Sequence, residues 1–263
     1  MIFNDQTGRI IELQNIPRRI VSIVPSQTEL LYDLGLKNEI VGITKFCIHP
    51  DEIFRTKTRV GGTKNLNIEK IKRLNPDLII ANKEENTKEE LEELMQHFPV
   101  WISDIKTLDG AYEMINTTGE ITGTNETAHQ IIYSINQKFT ELENSIKLNE
   151  KTAAYLIWQK PYMVAGGNTF ISDMIKRAGL INIFNNQNRY PQTTLEELNN
   201  LNPDFVLLSS EPFPFKEKHK IEMQKNCPKS KVLLVDGEMF SWYGSRLVRA
   251  ADYLKSFVKQ YTS

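Results

Sequence analysis

Apolar positions along the chain follow two rhythms. Short aliphatic or β-branched runs at residues 9–13, 19–24, 39–44, 78–82, 100–103, 153–158, 205–209 and 231–235 read as strands. Between them, apolar residues recur at helical spacing over 68–74, 88–98, 108–122, 195–201, 215–226 and 245–260. A further helix follows the run at 19–24, where Ser26 fits an N-cap with Glu29 three residues on, and Gly35 closes it. Strand and helix alternate through both halves, which predicts α/β architecture with largely parallel sheets.

One phrase occurs twice. The word Leu-Asn-Pro-Asp begins at Leu74 and again at Leu201, each time between a short helix and an apolar run. Glu69 and Glu196 occupy the same place in the two copies, as do Ile71 and Leu198. Proline cannot continue a helix and moves the residue before it out of the helical region, so each copy reads as helix, turn and buried strand. One repeat at half the chain length predicts two similar lobes rather than a solenoid.

Residues 125–148 contain no Pro and no Gly, and Ala128, Ile131, Ile132, Ile135, Phe139, Leu142 and Ile146 recur at helical spacing. They read as one rigid helix of about 30 Å at 1.5 Å per residue. The expected organisation is an N-terminal α/β lobe over 1–124, a linking helix over 125–148 and a C-terminal α/β lobe over 149–263. Such a chain holds a ligand in the cleft between its lobes. It needs no second copy to form a site, so a monomer is expected.

Composition removes several classes. Formal net charge is −1, with no basic run interleaved with aromatics, which argues against nucleic acid. No apolar stretch is long enough to insert into a membrane. The opening residues lack a basic start and an apolar core, so they read as a natural beginning rather than a secretory signal, and a cytoplasmic location stays open. Two cysteines, Cys47 and Cys227, make no disulfide framework.

In parallel sheets, ligands meet the loops beyond the carboxyl ends of the strands. Here those loops carry Phe46, Trp158, Tyr162, Tyr190, Phe213, Phe215, Phe240, Trp242 and Tyr243, rings that suit a large, flat, partly apolar ligand. The run at 240–246 is the densest, and it is expected to face the ligand, with Arg246 available for a carboxylate or phosphate. Cys47 and His49 flank one loop position, but no second pair completes a metal site; His49 is better read as a contact to a bound cofactor. His97, His129 and His219 fall on helices and are expected to be solvated. Gly166-Gly167-Asn168-Thr169 lacks the spacing of a dinucleotide or phosphate loop and reads as a tight turn. No nucleophile elbow or acid–base pair emerges, so an enzyme is not expected, and neither is an intrinsic cofactor.

From about Arg18 to Tyr261 the chain resembles the helical-backbone class of solute-binding proteins of ABC importers, which includes vitamin B12, iron–siderophore and haem binders. The resemblance is carried by the stretch from Pro25 to Leu30, by 67–71 with 74–80, by the long helix, by Asn182-Ile183-Phe184, and by Glu196 with 201–204. The opening and Arg189-Tyr190-Pro191-Gln192 are most similar to the vitamin B12 branch. The resemblance implies a periplasmic receptor whose ligand is a corrinoid such as cobalamin, or otherwise an iron chelate, and whose partner is an ABC permease. It gives Glu69 and Glu196 a role as two acidic knobs that dock permease arginines. Phe46 and Tyr190 fall where ligand-holding rings lie, and Thr63 falls where the vitamin B12 branch has a Trp. A cytoplasmic corrinoid or metal-chelate sensor or chaperone is the alternative of another class.

Overall fold

The computed structural model describes residues 1–146 and 150–261. Its internal contacts divide the chain into two compact units. The first comprises Met1–Ile105, Asp109–Ser134 and Tyr243–Arg246; the second comprises Lys106–Leu108, Ile135–Trp242 and Leu247–Ser263.

The first unit is built on a five-stranded sheet in the order Thr58–Arg59, Ile40–Ile43, Ile20–Ser22, Leu78–Asn82 and Val100–Ser103. Every pairing in it is parallel. Strand Leu78–Asn82 is buried along its whole length, as its unbroken apolar run requires. Val21, Ile71, Ile79, Leu94 and Val100 form a core on one face. An antiparallel hairpin of Ile2–Asn4 and Ile10–Glu12 precedes the sheet; its second strand was expected and its first was not. The segment before the first repeat is a tight antiparallel pair of Gly61–Gly62 and Asn65–Leu66.

The second unit has parallel strands Ile181–Asn182, Thr152–Trp158, Phe205–Ser209 and Lys231–Val235. Antiparallel strands Tyr162–Val164 and Gln192–Thr193 extend it at one edge. Its core gathers Leu156, Phe184, Leu198, Val206, Leu208 and Val232. Both units are thus α/β, mainly parallel in the first and mixed in the second.

The repeated phrase performs the same task in each unit. Helix Ile68–Leu74 is capped by the Asn67 side chain and helix Leu195–Leu201 by the Thr194 hydroxyl. Each ends on the asparagine of the repeat, and both asparagines take the left-handed conformation, φ 45° at Asn75 and φ 47° at Asn202. The aspartate two residues later then reaches the adjacent strand. Asp77 accepts from the backbone N–H groups of Arg18 and Arg19 at 2.8 and 2.9 Å. Asp204 accepts from the Thr152 N–H at 2.8 Å and its hydroxyl at 2.9 Å, and pairs with Lys151 at 3.0 Å. The Asn-Pro-Asp word therefore ends a helix and ties down the start of a strand.

Helix Asn125–Ser145 is the long helix read from the sequence. Ala128, Ile135, Phe139 and Leu142 are buried on one stripe, and the division between the units falls within it. Residues 147–149, which include the expected end of this helix, lie outside the described residues, as do 262–263.

Candidate functional site: the loops beyond the strand ends

In the first unit, three parallel strands end on buried polar residues, Ser22, Asn82 and Ser103. These carry a hydrogen-bonded web. Gln27 Nε2 and Asn82 Nδ2 both donate to Ser103 Oγ, and the Thr28 hydroxyl donates to Ser22 Oγ at 2.8 Å. Asn86 Nδ2 donates to the carbonyls of Thr63 at 2.9 Å and Ile23 at 3.3 Å, while Asn86 Oδ1 accepts from the Asn82 N–H. The web holds the Thr63 loop against the sheet through main-chain atoms. Sequence reading missed it, because its members are ordinary polar residues made adjacent only by strand pairing.

Above this floor stands Phe46, 50 % exposed, with Lys45 Nζ 5.1 Å from its ring centre. Thr63 and His49 are half-buried. Cys47 is wholly buried; its thiol lies 3.1 Å from both the Thr28 and the Thr44 hydroxyls, and burial pushes its pKa up to about 11. A thiol held that firmly protonated is a poor metal ligand. Among the described residues no three His, Cys, Asp or Glu side chains gather as a metal site.

The run at 240–246 is arranged differently from the expectation. All three aromatics are buried. Phe240 lies in the core of the second unit, its ring centre 5.1 Å from Tyr155 and 6.2 Å from Tyr253. Trp242 donates its indole N–H to Glu211 Oε1 at 2.8 Å, and Ser241 Oγ donates to the same oxygen at 2.7 Å. Arg246 lies with Tyr243 in the first unit, where its Nε and Nη2 each donate to Glu29 at 2.7 Å. This ion pair is almost fully buried. Glu29 is therefore no capping-box partner: the first turn begins at Pro25, with Val24 at the cap position and no side-chain cap. The apolar requirement of two separate cores, and a buried carboxylate needing a cation, account for the run.

The second unit offers a more open set of rings. Trp158, at the end of its strand, is 40 % exposed and meets Phe213 edge-on at 5.8 Å. Phe213 packs on Phe215 at 4.8 Å and on His219 at 5.3 Å. His219, expected to be solvated, instead completes a ring cluster. Tyr162 accepts from Gln159 Nε2 at 3.2 Å and is half-buried, as is Tyr190. Tyr190 stands on a loop fixed by its backbone: Gly166 N–H donates to Arg189 O at 2.8 Å and Gly167 N–H to Gln187 O at 2.7 Å. A Cβ on Gly166 would lie 2.2 Å from Gln187 O, and one on Gly167 2.1 Å from Asn185 O. The Gly-Gly pair is thus a seam between two loops rather than a simple turn.

Burial and the nearby Glu238 and Asp236 push the Glu211 carboxyl above its ordinary value, against the Ser241 and Trp242 hydrogen bonds. Glu69 and Glu196 both sit in the first turn of their helices and are exposed. Glu69 has Lys72 at 3.3 Å. Among the described residues no helix is long and apolar enough to cross a membrane.

Residues 20–229 match the periplasmic binding protein family. The chain is 26 % identical over 264 residues to an uncharacterized ABC transporter substrate-binding lipoprotein, YvrC, of Bacillus subtilis, covering 95 % of this chain and 83 % of that one. It is 28 % identical over 194 residues to a vitamin B12-binding protein of Vibrio cholerae, covering 73 % and 70 %. Among solved structures, a periplasmic haem-binding protein of Pseudomonas aeruginosa aligns with TM-score 0.81 at 20 % identity over 94 % of each chain. The match to the family spans most of the sequence and both of its repeats, and the chain belongs to the periplasmic binding protein family.

Proposed function

We propose that this chain is the solute-binding component of an ABC importer and that its solute is a flat metal macrocycle, a corrinoid such as cobalamin in the first place. The observation that carries the ligand reading is the set of rings on loops beyond the strand ends. Phe46 and Trp158 stay 50 % and 40 % exposed, although each could bury more than a hundred Å² against a partner. In the second unit Tyr162 opens a strand that pairs with Gln192–Thr193, and Tyr190 stands on the loop just before that partner strand. The curated relative named as a vitamin B12-binding protein supports the same class of ligand. A ferric siderophore or haem is the second reading; it is favoured by the cationic side chains of Lys160 and Lys218 near the Trp158 cluster. Transport by a membrane-bound importer puts the working protein outside the inner membrane.

Titration calorimetry with cyanocobalamin, haemin and a ferric hydroxamate tests the reading. One of them binds one-to-one, and Trp158→Ala or Tyr190→Ala weakens it about tenfold, the usual worth of a buried ring contact. No heat from any of the three would remove the proposal. Docking is tested separately. Glu69 and Glu196 project from equivalent first turns, and in the helical-backbone class such residues meet permease arginines. With the cognate importer in liposomes, Glu69→Ala combined with Glu196→Ala abolishes stimulation of ATP hydrolysis while solute affinity stays unchanged. Stimulation that survives the double substitution would remove the docking role.

A further inference from the structure

A cavity of about 410 Å³ opens beside the ring cluster of the second unit, lined by Gln159, Lys160, Phe213, Lys218, His219 and Glu222. Its chemistry differs from a purely aromatic wall. Phe213 forms an apolar side, and the polar lining contains two ammonium groups against one carboxylate. Neither Lys160 nor Lys218 makes an ion pair among the described residues; in helix Glu217–Asn226 it is Lys220 that pairs with Glu217.

His219 sets the character of the cavity. The Lys216 backbone N–H donates to His219 Nδ1 at 2.9 Å, as part of the cap of helix Glu217–Asn226. A nitrogen that accepts a hydrogen bond carries no proton, so the proton of the neutral ring sits on Nε2. The ring packs against the contacting pair Phe213 and Phe215, edge-on to both, at 5.3 and 5.7 Å. Burial and the Lys218 charge, with Lys216 beyond it, lower the His219 pKa against the opposing Glu222. An imidazole fixed this way offers an N–H and no lone pair at Nε2.

We propose that this cavity receives an anionic oxygen group on the rim of the solute, with His219 Nε2–H as a directional donor and Lys160 and Lys218 as its counter-charges, and that His219 is not a ligand to the metal. The inference rests on the reading of the solute as a flat metal macrocycle. The group is a propionate carboxylate in a haem, or the phosphodiester of the nucleotide loop in a cobalamin; the same donor set serves either.

Two matched pairs of probes test it on the full chain: cyanocobalamin against dicyanocobinamide, which lacks the phosphodiester, and haemin against its dimethyl ester, which lacks free carboxylates. The expected result is that, in whichever pair binds, the anionic member binds about tenfold more tightly, the worth of one hydrogen bond to a charged group. His219→Gln and the double substitution Lys160→Gln with Lys218→Gln each remove most of that preference. The variants leave the visible absorption band of the bound metal where it was, because no metal bond is lost. Equal binding of the two members, a preference that survives both variants, or a band shift on His219→Gln would overturn the inference and leave the solute class standing. Failure of all four probes to bind would overturn the solute class and the inference with it.

Discussion

At the scale of single residues, two acids differ because buried Glu29 is held by a cation and half-buried Glu211 by neutral donors. Glu29 is held by both arms of Arg246, each contact 2.7 Å. Removing either partner leaves a buried charge alone, so Glu29→Ala or Arg246→Ala costs about 3–5 kcal/mol in urea unfolding, whereas replacing both by Met restores much of the loss. Among the described residues the Glu211 carboxylate accepts from neutral donors, Ser241 and Trp242, and its pKa is raised by burial. A group whose folded pKa lies above its unfolded one favours the folded state in its protonated form. Stability from it is therefore full below the unfolded value and falls as pH rises through the raised one. Glu211→Gln keeps an acceptor for both donors and removes the charge. It raises stability at pH 7 by about 1 kcal/mol, with little change at pH 4, as unfolding midpoints at the two values will report. Neither acid was legible as such in the sequence. Glu29 resembles a capping-box residue, and its cation lies 217 residues away.

At the scale of elements, the repeated phrase was the most readable feature of the chain, and its second function was not. The proline marks the helix end, but the left-handed asparagine and the strand-tying aspartate appear only in three dimensions. Asparagine tolerates the left-handed region and alanine does not, so Asn75→Ala and Asn202→Ala each cost about 1–2 kcal/mol, while the glycine variants cost less. Equal losses from alanine and glycine, measured by denaturant midpoints, would point to a lost side-chain contact instead. The strands missed by pattern, such as Gln192–Thr193 and Gly61–Gly62, are two residues long, too short to show a period. The ring cluster was half legible. Phe213 and Phe215 are visible after a strand, but His219 lies in what reads as a solvated helix, and only the fold turns it toward them. The reverse held at 240–243, where aromatic density suggested exposure and two cores absorbed the rings.

At the scale of the whole molecule, alternation of strand and helix foretold α/β units, and the unbroken spacing of 125–148 foretold the long helix. What it did not foretell is that the first unit is discontinuous, taking in Tyr243–Arg246 from near the other end of the chain. That has a consequence for how the protein is made. A chain emerging from the ribosome exposes residue 29 a full 217 residues before residue 246, so Glu29 waits through that stretch of synthesis for its cation. Until then the first unit carries an uncompensated acid at a position that must become dry, and its last packing step is deferred. The half of the protein that begins to be translated first cannot finish its packing until most of the other half has been made.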